Sequence, residues 1–442
     1  MPKLETAVSN MLMFFIAIIP MVVIPFFTDS IYYAKIFIVY CTTVIFILIY
    51  VRSLTQFIIK KPKVPMGVKM GLGYLICITL TLPFSEDLYQ SIQGTTFRAE
   101  GYLALVMYVL LMCMAAFFYE FKPWHLWVLG FGTTIVSLVG ILQFFGINLV
   151  PLDQIIWQSQ GMVYSTIGNA NFLGSYLTLM LPIFVFAFVK TKKWPLLIPC
   201  GAIYFCLLSS NTRGAWIGSA IAFGLLAFLI IKEKIHPKRL IIIMAIFMGL
   251  TILFGLFNPN FTGRFASVFT DFNKLNTGIS QQKETEGQEQ PGEVSNIGQL
   301  GSSRIYIWQK TWTLIKERPL TGYGIETMGT VMEERFAKEN QAYFNGPMRV
   351  DKAHNEYLHI SYSSGVIAAL IYFLFQISVI VTGLKTIKNA KGTTQYLLSI
   401  PLVCSVVGYL FQALTNISIV SVAYIFWIFC GIIIVNRADN KA

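Results

Sequence analysis

The sequence predicts an all-α integral membrane protein with about twelve transmembrane helices in a single domain, 1–442, and three observations carry that expectation. Of its 442 residues, 55% are hydrophobic and 12% are charged, whereas an ordinary soluble domain is roughly 25% charged. Apolar runs of the roughly 17 to 25 residues needed to cross about 30 Å of hydrocarbon recur along the chain. Lys and Arg are segregated between alternate connecting segments, as the positive-inside rule requires of a polytopic protein.

The runs fall at 7–27, 34–51, 66–84, 102–119, 126–145, 170–189, 194–209, 215–231, 240–257, 357–381, 395–414 and 417–435. The first carries Pro20 and Pro25 but no small-residue cleavage site, so it reads as a retained helix rather than a signal peptide. With the N-terminus inside, the inner segments hold eighteen Lys and Arg, and the short outer loops hold two, Arg98 and Arg213. Both termini are then cytoplasmic, and the long segment 258–356, between the ninth and tenth runs, is extracytoplasmic. That segment is nearly neutral, with eleven basic and twelve acidic residues, so the net charge of +12 lies elsewhere, mostly on the inner face. The basicity is topological and gives no reason to expect nucleic acid. All seven cysteines lie within predicted spans, with neither a disulfide framework nor a metal-type spacing.

The connecting segments hold the candidate chemistry. In 85–101, Arg98 and Glu100 precede the fourth span; Arg98 is either an interfacial ion-pair partner or a contact for an anionic group. The loop 146–169 leads into Asn169 and Asn171, of which one suffices to cap the sixth span and the other is left to aim a donor or acceptor into a cavity. Arg213 stands in a tight turn between two apolar helices, at a depth where a fixed anion would offset the cost of the charge.

Within the long segment, 271–300 is polar and rich in Gly, Gln and Glu, the composition of a mobile loop. Two amphipathic helices are expected over 302–343. Ser302 or Ser303 would cap the first, with Ile305, Trp308, Trp312 and Ile315 as its apolar stripe and Arg304 in its first turn. The second would bury Met328, Val331, Met332 and Phe336 on one face. His354 follows, just before the tenth span, where an imidazole serves either as a general base or as a hydrogen-bonded interfacial group. His125 and His236 fall on the inner face. His359 would lie about 140° around a helix from His354, if both were helical.

The runs G-N-A-N-F-L at 168–173, T-R-G-A-W at 212–216, R-I-Y-I-W at 304–308, R-P-L-T-G-Y-G at 318–324 and A-H-N-E-Y-L-H-I at 353–360, followed by Ser364-Gly365, resemble the O-antigen ligase family of membrane glycosyltransferases. That family includes related polysaccharide polymerases and protein O-oligosaccharyltransferases. The resemblance implies a GT-C-like enzyme at the outer face of a bacterial cytoplasmic membrane. It would move a glycan from an undecaprenyl-diphosphate carrier to a hydroxyl of a glycan or lipid acceptor, with inversion and without metal or cofactor. It also implies that Arg213 and Arg304 bind the diphosphate and that His354 is the catalytic base. Arg98, Asn169, Asn171 and Asn355 are further candidate substrate contacts.

The chain ends seven residues after the last run, without the soluble C-terminal domain of the protein-glycosylating members. Ligase and polymerase remain alternatives, since they share a donor and differ in acceptor. A transporter or lipid-linked glycan flippase is the alternative of another class, although no Asp or Glu lies within a predicted span, where ion-coupled carriers keep ionisable groups. A noncatalytic scaffold for surface-polymer assembly is a third.

Overall fold

A computed structural model describes residues 2–24, 31–95, 98–150, 162–259, 261–263, 303–346 and 348–435. The predicted mobile stretch 271–300 and the cap residue Ser302 lie outside these. The described residues form helices and no β-strand: α1 (Pro2–Ala17), α2 (Tyr32–Ile59), α3 (Met66–Thr81), α4 (Leu88–Gln93), α5 (Tyr102–Phe118), α6 (Pro123–Phe144), α7 (Ala170–Thr191), α8 (Leu197–Ser209), α9 (Arg213–Lys232), α10 (Leu240–Phe257), α11 (Arg304–Glu317), α12 (Met328–Phe344), α13 (Glu356–Asn389), α14 (Thr394–Ala413) and α15 (Ala423–Ile434). Nine helices among the described residues are long and apolar enough to cross a membrane. Three shorter apolar helices, Tyr102–Phe118, Trp194–Ser209 and Ala423–Ile434, occupy the other predicted runs. The protein is therefore a multi-pass helical membrane protein, with nine helices of full length among the described residues where the sequence reading expected about twelve.

Helices that are apolar on every face belong in the centre of such a bundle. Every residue of α15 is buried, as is nearly all of α7. By contrast, α10 lies at the edge and exposes Met244, Met248, Ile252 and Leu256. Helices in lipid associate largely through close backbone approach at small residues. At the crossing of α9 and α14, a Cβ on Gly218 would come 2.6 Å from the Gly408 carbonyl oxygen. One turn earlier, a Cβ on Gly214 would come 2.7 Å from Thr415 Oγ1, so the first turn of α9, and with it Arg213, lies against the chain just after α14.

The tenth run is continuous in sequence but broken in space. Within α13, Gly365 takes φ 82 and ψ 163, which interrupts the helical ladder in apolar surroundings where unsatisfied backbone groups are costly. The R-P-L-T-G-Y-G run makes good the loss. Val366 N–H donates to Pro319 O at 2.8 Å, and Tyr323 and Gly324 N–H donate to Tyr362 O and Ser363 O, both at 2.9 Å. Only glycine fits the break: its φ lies in the left-handed region, and a Cβ would sit 2.1 Å from Leu320 O.

α11 and α12 pack over one end of the bundle around a small core of Ile307, Leu314, Ile315, Met328, Val331 and Met332. The second expected amphipathic face is present, with Phe336 partly buried at a kink. The first is rotated from expectation. Ile307, Thr311, Leu314 and Ile315 face inward, while Trp312 is 53% exposed, because this face packs on Tyr362 of α13 as well as on α12 and the segment before His354. Ser303 takes the N-cap position in the left-handed region and makes no side-chain capping bond, so side-chain capping does not start this helix.

Candidate active site

Five segments distant in sequence meet beneath α11 and α12. The first is the 85–100 loop. Asp87 caps the short α4 by accepting from Gln90 N–H at 2.9 Å, and the loop is stapled to the turn before α12. Glu86 N–H donates to Tyr323 O at 2.9 Å, Ser91 Oγ to Ile325 O at 2.8 Å and Gln90 Nε2 to Glu326 O at 2.6 Å. This holds Arg98 in place. Its partner is Asp351, with Nε to Oδ2 at 2.8 Å, and not the neighbouring Glu100. Its guanidinium also lies over the Phe172 ring, 5.9 Å from the centroid.

The second segment is the start of α7. Gly168 adopts φ 92, and Asn169 then caps the helix by accepting from Asn171 N–H at 2.8 Å. The Asn171 carbonyl accepts from Gln412 Nε2 at 3.0 Å, tying this end of α7 to α14. Third is the start of α9, where Arg213 is the first helical residue, and fourth is the start of α11, where Arg304 holds the same position. First-turn amides have no intrahelical partner, so both arginines stand where anions are favoured. One turn on from Arg304, Trp308 Nε1 donates to Ala353 O at 2.9 Å, which turns this face of α11 toward the residue that follows Ala353.

That residue, His354, lies on the fifth segment, 350–359. It is not helical: its φ is +50, and α13 begins only after Asn355. The angular argument that separated it from His359 therefore does not hold. A non-glycine residue in the left-handed region costs on the order of 1–3 kcal/mol and persists where its surroundings impose it. The surroundings here are dense. Asp351 binds Arg98, Lys352 forms a buried pair with Glu326, and Ala353 accepts from Trp308. Asn355 has both ends of its amide engaged, accepting from Leu358 N–H and donating to Leu414 O, each at 3.0 Å. Lys352 Nζ also lies 3.3 Å from Nε2 of His359, which lines an internal cavity of about 60 Å³ with Glu100, Glu326, Lys352 and Glu356.

The electrostatics follow from this convergence. Burial, then the charges of Arg304 and Arg98, push His354 down to about 4, with Asp351 opposing and Lys352 adding to the depression. The imidazole is neutral at pH 7 and able to accept a proton. Burial and the neighbouring charge of Arg213 lower Arg304. Burial would also lower Arg98, but the charge and hydrogen bond of Asp351 outweigh it. Asp351 is in turn held below the ordinary carboxylate range by Arg98, against the effect of its own burial.

Each described candidate thus falls at one end of the bundle. Arg98, Arg213, Arg304 and His354 are brought into electrostatic contact. Asn169 and Asn355 serve as helix caps, and the Asn171 backbone ties two helices. The sequence reading missed Asp351, Lys352 and Glu326, took Trp308 only as part of an apolar stripe and set His359 aside by its angle. A visible signal existed for Asp351 and Lys352, two charges in the last turn of chain before a span, but none for Glu326.

A polytopic helical membrane protein with arginines and a histidine gathered at one end of its bundle is the class that fold and site define. Residues 196–373 match the family model described as O-antigen ligase, so the resemblance drawn from the motifs is borne out over that part of the chain. The matched part includes Arg213, Arg304 and His354. An uncharacterized protein of Haemophilus influenzae is similar as well, 26% identical over 216 residues. That alignment takes in 48% of this chain and 48% of the relative, so the chain spans about half the length of the curated relative it matches.

Proposed function

We propose that this protein is an O-antigen ligase-like glycosyltransferase of the GT-C type, acting at the outer face of a bacterial cytoplasmic membrane. It would transfer a glycan from an undecaprenyl-diphosphate carrier to a hydroxyl of a glycan or lipid acceptor. The observation that carries this reading is the placement of a neutral imidazole, His354, under the influence of Arg304, itself beside Arg213. A basic pair opposite a base is what displacement of a diphosphate by a hydroxyl needs.

In the proposed step, His354 takes the proton of the acceptor hydroxyl as its oxygen bonds to the anomeric carbon. The bond from that carbon to the diphosphate oxygen breaks, and the diphosphate leaves with the electron pair. Attack from the face opposite the leaving group inverts the anomeric centre. Arg213 and Arg304 meet the charge that gathers on the leaving oxygens, and planar two-donor groups do this well. The proton on His354 passes to solvent, to which the side chain is partly open. Arg98, with its salt bridge to Asp351 partly exposed, is positioned to meet a further anionic or hydroxyl group of a substrate. Because the arginines fill the role of a divalent cation, turnover should persist in excess chelator. Loss in chelator with rescue by magnesium would oppose this reading.

Deleting the gene and examining glycans on the lipid carrier tests the function. Long unattached chains on the carrier would support ligation. Single repeat units would identify the polymerase reaction of the same family, and an unchanged carrier pool would overturn both.

A further inference from the structure

Among the groups that surround His354, one pair is buried more deeply than binding a substrate requires. The Lys352 side chain, two residues before His354, is 3% exposed and is paired with Glu326, 2% exposed. Glu326 stands on the turn before α12 with φ 64, and its carboxylate also accepts from Thr95 Oγ1 at 2.9 Å, while its carbonyl accepts from Gln90 Nε2 at 2.6 Å. On the other side, Lys352 Nζ reaches His359 Nε2 at 3.3 Å, in the first turn of α13. The pair therefore joins three separate pieces of chain next to a histidine whose own backbone is left-handed.

A buried ion pair contributes little stability over a well-packed apolar pair of similar volume, but it admits one geometry where an apolar pair admits several. The other anchor of this segment, Arg98 to Asp351, has side chains 10% and 34% exposed. It is open to competition from an anionic substrate group, and an anchor that a substrate can draw away cannot alone hold a base in register. The Lys352–Glu326 pair is far less exposed, at 3% and 2%.

We propose that Lys352 and Glu326 are the positioning residues for His354, fixing the imidazole against the acceptor hydroxyl independently of what Arg98 binds. Neither touches the reacting atoms, so neither is a catalytic residue. This role rests on the reading of His354 as the base.

The test is the double variant Lys352→Met/Glu326→Met, which removes the two charges of the pair together, so that neither is left buried without the other. It is compared with wild type in proteoliposomes, using as donor the lipid-linked diphosphate glycan extracted from cells lacking the gene. The expected result is a cooperative melt near that of wild type, a fall in kcat of about tenfold or more, and a donor KM within about twofold. A folded double variant with wild-type kcat overturns the positioning role and leaves the pair a feature of the fold. A raised donor KM that accounts for the whole loss also overturns it, because the pair would then serve the diphosphate side.

Should the double variant fail to accumulate, Lys352→Arg and Thr95→Val disturb the same geometry while keeping both charges. Each is expected to lower kcat about threefold to tenfold at constant KM, and unchanged kcat in both overturns the proposal. Wild-type protein that leaves the same donor untouched overturns the proposed function itself, and the positioning role falls with it. Wild-type turnover beside a fully active double variant overturns the positioning role alone.

Discussion

The two sides of the candidate pocket are built in opposite ways. The side that carries His354 is tied down at every step: Asp351 to Arg98, Lys352 to Glu326, Ala353 to Trp308 and Asn355 to Leu414. The side that carries the arginines places Arg213 and Arg304 each at the first position of a helix, with Arg304 disfavoured by burial and by the charge of its neighbour. The first arrangement fixes position; in the second, Arg304 carries a charge that burial and Arg213 disfavour and that an arriving anion would favour. Proton transfer fails when a base moves by an ångström, whereas a leaving group gathering charge needs field strength more than a single contact. If the proposed function holds, the contrast predicts that changes on one side act on kcat and changes on the other on both kcat and donor affinity.

The largest effect should come from removing the fixed side. His354→Ala is expected to lower transfer about 10³-fold, within the range for loss of general base catalysis, with donor KM close to wild type because the arginines remain. Quantified product from lipid-linked donor in proteoliposomes checks this, with His236→Asn, at an exposed turn at 236, as a control expected to match wild type. A His354→Ala protein that transfers at a near-normal rate, or that no longer binds donor, breaks the division between the two sides.

A smaller loss is expected on the arginine side. Arg304→Lys and Arg213→Lys keep the charge but lose the planar two-donor fork, so each should lower kcat/KM for donor about tenfold to 100-fold, near the lower end of losses for a transition-state donor. Arg304 should show the greater effect, since it is the arginine whose charge acts most on His354. Normal kinetics in both Lys variants would reduce these arginines to residues of the fold.

Much of this comparison was legible in the sequence, for reasons that also mark where legibility ends. The apolar runs, the two amphipathic helices and the residues Arg213, Arg304 and His354 all follow from local composition and order, and the folded chain brings the three together. Arg98 with Asp351 was not legible, because the partners are 253 positions apart and the nearer Glu100 was the natural guess. Nor was the break at Gly365, since an apolar run reads the same whether or not its ladder is interrupted. The buried face of α11 was set by partners on α12, α13 and the segment before His354, which single-helix periodicity cannot see. The separation of His354 and His359 held only if both were helical, and it failed because the helix begins at Glu356, two residues after His354, with Asn355 as its cap.

The smallest effect asks whether the two sides are coupled. Burial, Arg304 and Arg98 hold the imidazole of His354 at about 4, below the ordinary value of about 6.5. The neutral form is favoured, so as pH falls the unfolded chain takes up a proton at this position before the folded one. Stability from His354 is therefore fully present above about pH 6.5 and is lost as pH falls from there toward 4. The acid limb of kcat/KM, which reports the free enzyme, should accordingly lie below 6.5 and toward 4. A bound diphosphate would face Arg304 and offset the charge that depresses the histidine, so the acid limb of kcat, which reports the complex, should lie at higher pH than that of kcat/KM. Arg304→Met should raise the free-enzyme limb in the same direction, because it removes the largest charge acting against protonation. Measured pH profiles decide this. Two limbs that coincide near 6.5, or a kcat limb lying below the kcat/KM limb, would show that the arginines do not set the ionisation of His354 and that the two sides act independently.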